Sequence, residues 1–327
     1  MATININNNL FEIVDTIEKM TIADSFVARS NKIGGGNGEA KFYVGNENAE
    51  TRAFFGENGF HLNCFLLKKD LKEFLLNSEG EYKNPEQPYQ RKENLPALWQ
   101  ERMNTIEQLD EVLHFTLIEQ TQIAGPRIYV KAPDNDPIYK LIREISLPNI
   151  SYLSAIKLID PNGNFIFYFK PFVDYFGEYE NPFVIEEEIK ILEEEELPTE
   201  VKTQLLRARK GQGKYRQALL EECPFCPITL ISDDRLLIAS HIKPWVKSDD
   251  YEKIDPKNGF MLTPTYDLLF DRGFISFSND KKIIISPWLS KMTCSKLSIS
   301  PEKQYPMLPT AGRENYLEYH RNNIFKG

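Results

Sequence analysis

Apolar residues recur every three or four positions over residues 10–20, 68–76, 95–109 and 137–145, and that period predicts helices. Elsewhere in the first 175 residues, short aromatic-rich runs lie between turn residues, as strands do. Two hairpins are expected: 26–32 with 40–45 about Gly34-Gly35-Gly36-Asn37-Gly38, and 152–159 with 164–169 about Asp160-Pro161-Asn162-Gly163. The glycine run is followed neither by Lys-Ser/Thr nor by a helix start, so it reads as a hairpin tip and not as a phosphate loop.

Further along, the pattern condenses. Residues 236–245 form an apolar strand that ends in His241 and a Pro-Trp turn. Asn258-Gly259 reads as a tight turn, 260–262 as a second strand, and Thr263-Pro264 as an N-cap followed by proline at the first helical position. The helix is expected to run to about Arg272 and to stop at Gly273. The order is strand, loop, strand, helix.

Length and charge divide this picture in two. A chain of 327 residues has room for two cores. The expected class is α+β: an N-terminal mixed α/β domain over 1–190, an acidic helical linker over 191–204 and a second domain over 205–327. Residues 186–196 hold seven Glu in eleven positions, a solvated helical face leading into that linker. The net charge of -9 conceals an asymmetry. Residues 200–327 carry 20 Lys+Arg against 15 Asp+Glu, leaving 19 against 33 for 1–199. A basic unit beside an acidic one is what a phosphate-binding module joined to something else would show. No apolar run is long enough to span a membrane, and the first residues lack the features of a signal peptide, so a cytoplasmic protein is expected.

The basic unit opens with Arg207, Arg209, Lys210, Lys214 and Arg216 around a pair of glycines, a segment suited to phosphate contact or, more plainly, to a solvent-facing helix start. Cys223-Pro224-Phe225-Cys226 has the spacing for two ligands of a structural Zn²⁺. Cys294 and His320 are the remaining nearby candidates but stand at no recognisable zinc spacing, and a small buried hydrophobic corner is the alternative. Asp267 and Asp271 stand four apart on the last helix, where like charges repel unless a cation lies between them. His61 and His114 sit in apolar runs and read as core or interface residues. His320 belongs to a terminal helix, where packing and phosphate contact are both open.

Taken together, Ser240-His241-Ile242-Lys243-Pro244-Trp245, Asn258-Gly259-Phe260-Met261-Leu262 and Asp267-Leu268-Leu269-Phe270-Asp271-Arg272-Gly273 resemble the His-Asn-His endonucleases of the ββα-metal fold, specifically a bacterial branch built around Ala-His-Ile-Lys-Pro-Trp. Gly211-Gln212-Gly213-Lys214-Tyr215-Arg216 and residues 316–325 are similar to segments that accompany this branch in restriction enzymes. The resemblance covers about residues 205–326. It implies that His241 deprotonates the attacking water, that Asn258 pins the loop orienting it, and that Asp267 and Asp271 hold one divalent metal, Mg²⁺ or Mn²⁺. Lys243 joins the basic residues as a DNA contact, and products with 5′-phosphate and 3′-hydroxyl ends are implied. Ser240 departs from the family, standing where many members have an Asp or His ligand, and Asp267 stands where the final His of the family name often falls.

The implied function is a metal-dependent endodeoxyribonuclease acting on double-stranded DNA, a Type II-like restriction enzyme whose N-terminal domain helps choose the target. Homodimerisation would let it cut both strands. The alternatives are an antiviral effector nuclease gated by a ligand or partner, a non-catalytic nucleic-acid-binding module, and an RNA-cutting enzyme.

Overall fold

The computed structural model describes residues 3–35, 40–120, 125–173 and 215–327. The chain divides into two compact units, Met1–Gly177 and Glu178–Gly327. The linker expected at 191–204 lies outside the described residues.

The N-terminal unit is built on an eight-stranded sheet. Its strands are β1 (Thr3–Ile6), β2 (Asn9–Thr21), β3 (Phe42–Asn46), β4 (His61–Leu67), β5 (Val112–Gln120), β6 (Arg127–Lys131), β7 (Ser151–Ile159) and β8 (Phe165–Val173), in the order β1-β2-β7-β8-β4-β5-β6-β3. Every pairing is antiparallel except β4 with β8. The helices are α1 (Ala49–Phe55), α2 (Lys68–Asn77), α3 (Glu79–Lys83), α4 (Leu95–Glu107) and α5 (Pro137–Ile145). Leu71, Phe74 and Leu75 of α2 and Leu141, Ile142 and Ile145 of α5 are buried in one core with residues of the sheet. Three of the four expected helices, at 68–76, 95–109 and 137–145, are therefore present.

The fourth is not a helix. Residues 10–20 lie in β2, where register shifts against β7 between Ile13 and Asp15 and between Ile17 and Met20 each insert one extra residue. Such bulges break the two-residue alternation of a strand, so the buried positions fall at Ile13, Thr16 and Met20, a spacing that imitates a helix. The hairpin expected across the glycine run also fails. Residues 29–31 form a 3₁₀ turn, and β3 pairs with β6 instead. Asp24 accepts hydrogen bonds from the amides of Ile33 and Gly34, and the buried amide of Asn31 donates to the carbonyls of Glu144 and Ser146, so side chains tie this segment to distant backbone. The second expected hairpin forms as β7–β8, with the Asp160 carboxylate accepting from Asn162 and Asn164 and Gly163 at φ +86°. His61 and His114 are exposed on the sheet, which corrects the core half of the expectation that they are core or interface residues.

The C-terminal unit begins, among the described residues, with a helical stretch, α6 (215–222). Strand β9 (Ile238–His241) then pairs antiparallel with β10 (Gly259–Leu262), and α7 (Pro264–Asp271) follows directly. The order strand, loop, strand, helix is as the sequence implies. Thr263 and Pro264 occupy the N-cap and N1 positions, but the Thr263 side chain makes no cap hydrogen bond. Gly273 ends the helix at φ +69°, and an added Cβ would lie 2.1 Å from the Ile324 carbonyl oxygen, so both conformation and packing require glycine there. A second hairpin, β11 (Ile275–Phe277) with β12 (Ile283–Ile285), is followed by α8 (Lys291–Lys296) and α9 (Glu314–Asn323).

Helix α9 is locked to α7 by His320, which is buried, stacks on Phe270 at 3.9 Å, faces the Ser276 hydroxyl through Nδ1 (3.0 Å) and donates from Nε2 to the Phe270 carbonyl (2.9 Å). Packing, and not phosphate contact, is its role. Burial pushes its pKa down to about 4, against the weaker effect of the Phe270 hydrogen bond. Above pH 6.5 the imidazole is neutral whether the chain is folded or unfolded. Between there and pH 4 only the unfolded chain takes up the proton, so stability is expected to fall with pH by about 3 kcal/mol from this residue. Urea unfolding of wild type and His320→Gln from pH 7.5 to 4 checks this, since the variant should start less stable and lose that part of the slope.

Candidate active site

His241 is the last residue of β9 and pairs in register with Gly259, the first of β10, so both are held by the sheet at the end where the 242–258 loop joins the two strands. The imidazole stacks on the Tyr215 ring at 4.0 Å and 15°, and the Trp245 ring stands nearly perpendicular to it with centroids 5.6 Å apart. Its Nε2 lies 3.1 Å from the Lys253 carbonyl oxygen. A carbonyl can only accept, so Nε2 carries the hydrogen and the lone pair of the neutral ring is on Nδ1. Nδ1 makes no hydrogen bond among the described residues. Burial lowers the His241 pKa below the usual histidine value, with the Lys253 carbonyl opposing it. The shift is in the direction that keeps the ring neutral at pH 7.

The carbonyl of Lys253 belongs to the loop between β9 and β10, and Asn258 fixes that loop. The Asn258 side chain is fully buried. Its Oδ1 accepts from the Lys243 amide (2.8 Å), and its Nδ2 donates to the Lys243 carbonyl (3.2 Å), the Ser248 hydroxyl (3.2 Å) and the Glu252 carbonyl (3.0 Å). One amide thus joins the start of the loop to its end, next to the carbonyl that holds His241. The tight turn expected at Asn258-Gly259 is instead a short 3₁₀ turn over Pro256–Asn258 with Gly259 extended at φ -169°.

Asp267 and Asp271 lie on α7, which follows β10 without a break. Asp267 is buried and Asp271 lies at the surface. The Asp271 carboxyl is raised above its ordinary range, first by desolvation and then by the negative charge of Asp267, with Arg272 and Lys326 working against both. Solvent reaches Asp271, which moderates the desolvation. A pair of oxygen-donor carboxylates coupled through space, one of them open to water, suits a hard divalent cation whose other ligands are water and phosphate. Among the described residues no group of three or more His, Cys, Asp or Glu side chains converges on one point, so His241 does not complete a ligand triad with the two aspartates.

The remaining candidates separate clearly. Arg207, Arg209, Lys210 and Lys214 lie outside the described residues. The Arg216 guanidinium donates to the Leu237 (2.8 Å) and Asp234 (2.6 Å) carbonyls and clamps the turn that leads into β9. Lys243 is ion-paired with Glu252 and lies over the Tyr319 ring, contacts that brace the loop between β9 and β10. Cys223 and Cys226 are buried in the core of this unit, with the Cys226 sulfur 3.9 Å from the Thr263 hydroxyl and the Cys223 thiol pushed up by burial. No third ligand joins them among the described residues, and they pack as a hydrophobic corner. Ser240 is buried opposite Phe260.

Two residues that sequence reasoning did not single out complete the surroundings. The phenol of Tyr215 donates to the Asn258 carbonyl (2.9 Å). Arg313 is buried and donates to the carbonyls of Gly259 (3.0 Å) and Pro256 (3.1 Å) and to Glu222 (3.1 Å). Tyr215 belongs to the 211–216 segment that the resemblance marked without giving this residue a role, and Arg313 follows the strand-loop-strand-helix segment with no signal of its own.

Residues 226–278 match the family model described as HNH endonuclease. That segment spans β9, β10 and α7 and contains His241, Asn258, Asp267 and Asp271. No curated protein matches the chain.

Proposed function

Proceeding from an HNH endonuclease domain at 226–278, a nuclease unit acting on nucleic acid, we propose that the chain is a metal-dependent endodeoxyribonuclease, a Type II-like restriction enzyme directed against foreign DNA. The observation that carries this reading is the His241 imidazole, fixed at a strand end by the Lys253 carbonyl and left with its basic nitrogen at Nδ1. Nδ1 takes the proton of the attacking water, and the Asn258 network holds the imidazole from behind while it does so. Asp267 and Asp271 would hold a divalent cation, which when bound neutralises charge on the scissile phosphate and on the departing oxygen. Their all-oxygen donor set favours Mg²⁺ or Mn²⁺ over zinc.

A strand-loop-strand-helix unit of this size offers little surface for reading bases, and the N-terminal unit supplies the area for selecting a target. A site with a single imidazole cuts one strand at a time, and pairing two copies brings a second site to the opposite strand. The chain as described has no helix long and apolar enough to cross a membrane.

Unmodified and methylated plasmid and phage DNA incubated with the protein and Mg²⁺ or Mn²⁺ provide the test. Discrete fragments that disappear with chelator support the reading, and no cutting of any DNA by the folded, metal-supplied protein sinks it. Asp271→Asn removes one anionic donor and relieves the repulsion on Asp267. It is expected to raise the metal concentration for half-maximal activity at least about 10-fold without lowering the unfolding temperature. An unchanged metal requirement would dismiss Asp271 as a ligand.

A further inference from the structure

We propose that Tyr215, which lies outside the matched segment, is a positioning residue that holds the His241 imidazole and the Asn258–Gly259 peptide in one arrangement. This inference rests on the nuclease reading for its consequence in catalysis but on geometry for its existence. The Tyr215 ring lies almost parallel to the imidazole at 4.0 Å, so it blocks rotation of the ring away from the Lys253 carbonyl that sets the tautomer. The same side chain then reaches past the imidazole, and its hydroxyl donates to the Asn258 carbonyl, which also accepts from the Ile242 amide at 3.1 Å. One rigid aromatic side chain therefore ties the base to the turn whose next residue pairs with it across the sheet.

The neighbouring glycine shows how closely this is fitted. Gly259 is extended, so no special backbone conformation calls for glycine. A Cβ built there would stand 1.9 Å from the Tyr215 hydroxyl oxygen and 2.8 Å from the Ser240 carbonyl oxygen, so glycine is needed for space. On the next carbonyl, that of Gly259, Arg313 donates from Nε. Two consecutive carbonyls are thus gripped by side chains from 43 residues before the turn and 54 residues after it. Tyr215 is itself buried, and burial pushes its ionisation well above the ordinary tyrosine value, so the hydroxyl remains a donor and takes no part in proton transfer.

The alternative is a core aromatic whose loss affects only stability. NMR of histidine-labelled full-length protein distinguishes the two, with the His241 signals assigned by their loss in His241→Ala. In the wild type the proposal requires upfield displacement of the His241 ring signals by the Tyr215 face, and their absence would overturn it whether or not any variant folds. Tyr215→Phe keeps the ring and loses one hydrogen bond, so the upfield signals should persist and kcat should fall no more than about fivefold. Tyr215→Leu, if folded, should lose the displacement and lower kcat about 100-fold with KM for DNA unchanged, since a misoriented base costs reaction rate and not binding. The acidic limb of its pH–rate profile should also move towards the ordinary histidine value as water reaches the ring. A folded Tyr215→Leu with wild-type kcat, or with its KM raised in step with the loss of kcat/KM, would overturn the proposal. If the wild type cuts no DNA while the ring-current displacement is present and disappears in Tyr215→Leu, the nuclease reading fails and the positioning geometry stands.

Discussion

His241→Ala is expected to lower kcat for DNA cleavage by about 10²- to 10⁴-fold, the range attributable to one general base, while KM changes little and the chain stays folded. The argument runs through a single atom. Nε2 is committed to the Lys253 carbonyl, so Nδ1 is the nitrogen of this imidazole able to accept a proton. Within the same unit, His320 is engaged at both nitrogens. The pH dependence carries a sign. Because burial lowers the His241 pKa, kcat/KM for the wild type should rise with pH through an acidic limb placed below 6.5 and be level above it. A limb centred at or above 6.5 would mean that water reaches the imidazole and that the buried arrangement is not the active one. Steady-state cleavage of a fluorescent duplex from pH 5 to 8, with circular dichroism of the variant as a folding control, checks both parts.

Asn258→Ala should be the most destabilising polar substitution in the C-terminal unit, costing about 3–5 kcal/mol. Its amide makes four hydrogen bonds in full burial. Removing it leaves the Lys243 amide and the Glu252 carbonyl short of partners, each at about 1–3 kcal/mol before water offsets part of the loss, while the Lys243 carbonyl keeps the Ser248 hydroxyl. The Ser248 hydroxyl loses the same donor but can still donate to the Lys243 and Pro244 carbonyls. Activity should fall with stability, because the freed loop carries the Lys253 carbonyl that fixes the His241 tautomer. Asn258→Asp is the informative companion. A carboxylate can still accept from the Lys243 amide, but it cannot donate to three oxygens and it buries a charge, so it should rescue neither property. Urea unfolding followed by Trp fluorescence gives the stability, and recovery by Asp would refute the donor role assigned to Nδ2.

These results divide according to where the information resides. In the C-terminal unit the order strand, loop, strand, helix is local: apolar β9 ends at His241, Pro264 opens α7 and Gly273 closes it, each through short-range preferences that act wherever the chain goes. The roles proposed for His241 and Asn258 could be named from the sequence for the same reason. In the N-terminal unit the hydrophobic period located α2, α4 and α5, yet failed at β2, where two bulges opposite β7 reproduce a helical spacing inside a strand. The hairpin expected over the glycine run was likewise lost to the side-chain hydrogen bonds of Asp24 and Asn31 with backbone elsewhere.

The sequence by itself determined the element types and order of the C-terminal motif and the identity of its titratable residues, because those follow from residue preferences over a few positions. Only the tertiary structure decided how the residues act on one another. It set the Arg216 guanidinium on the turn before β9, paired Lys243 with Glu252, placed Cys223 and Cys226 in a core, lowered the His241 pKa by burial, and brought Tyr215 and Arg313 to the Asn258–Gly259 peptide from opposite ends of the unit. Contacts of that kind depend on which side chains share a volume after folding, and no spacing along the chain records it.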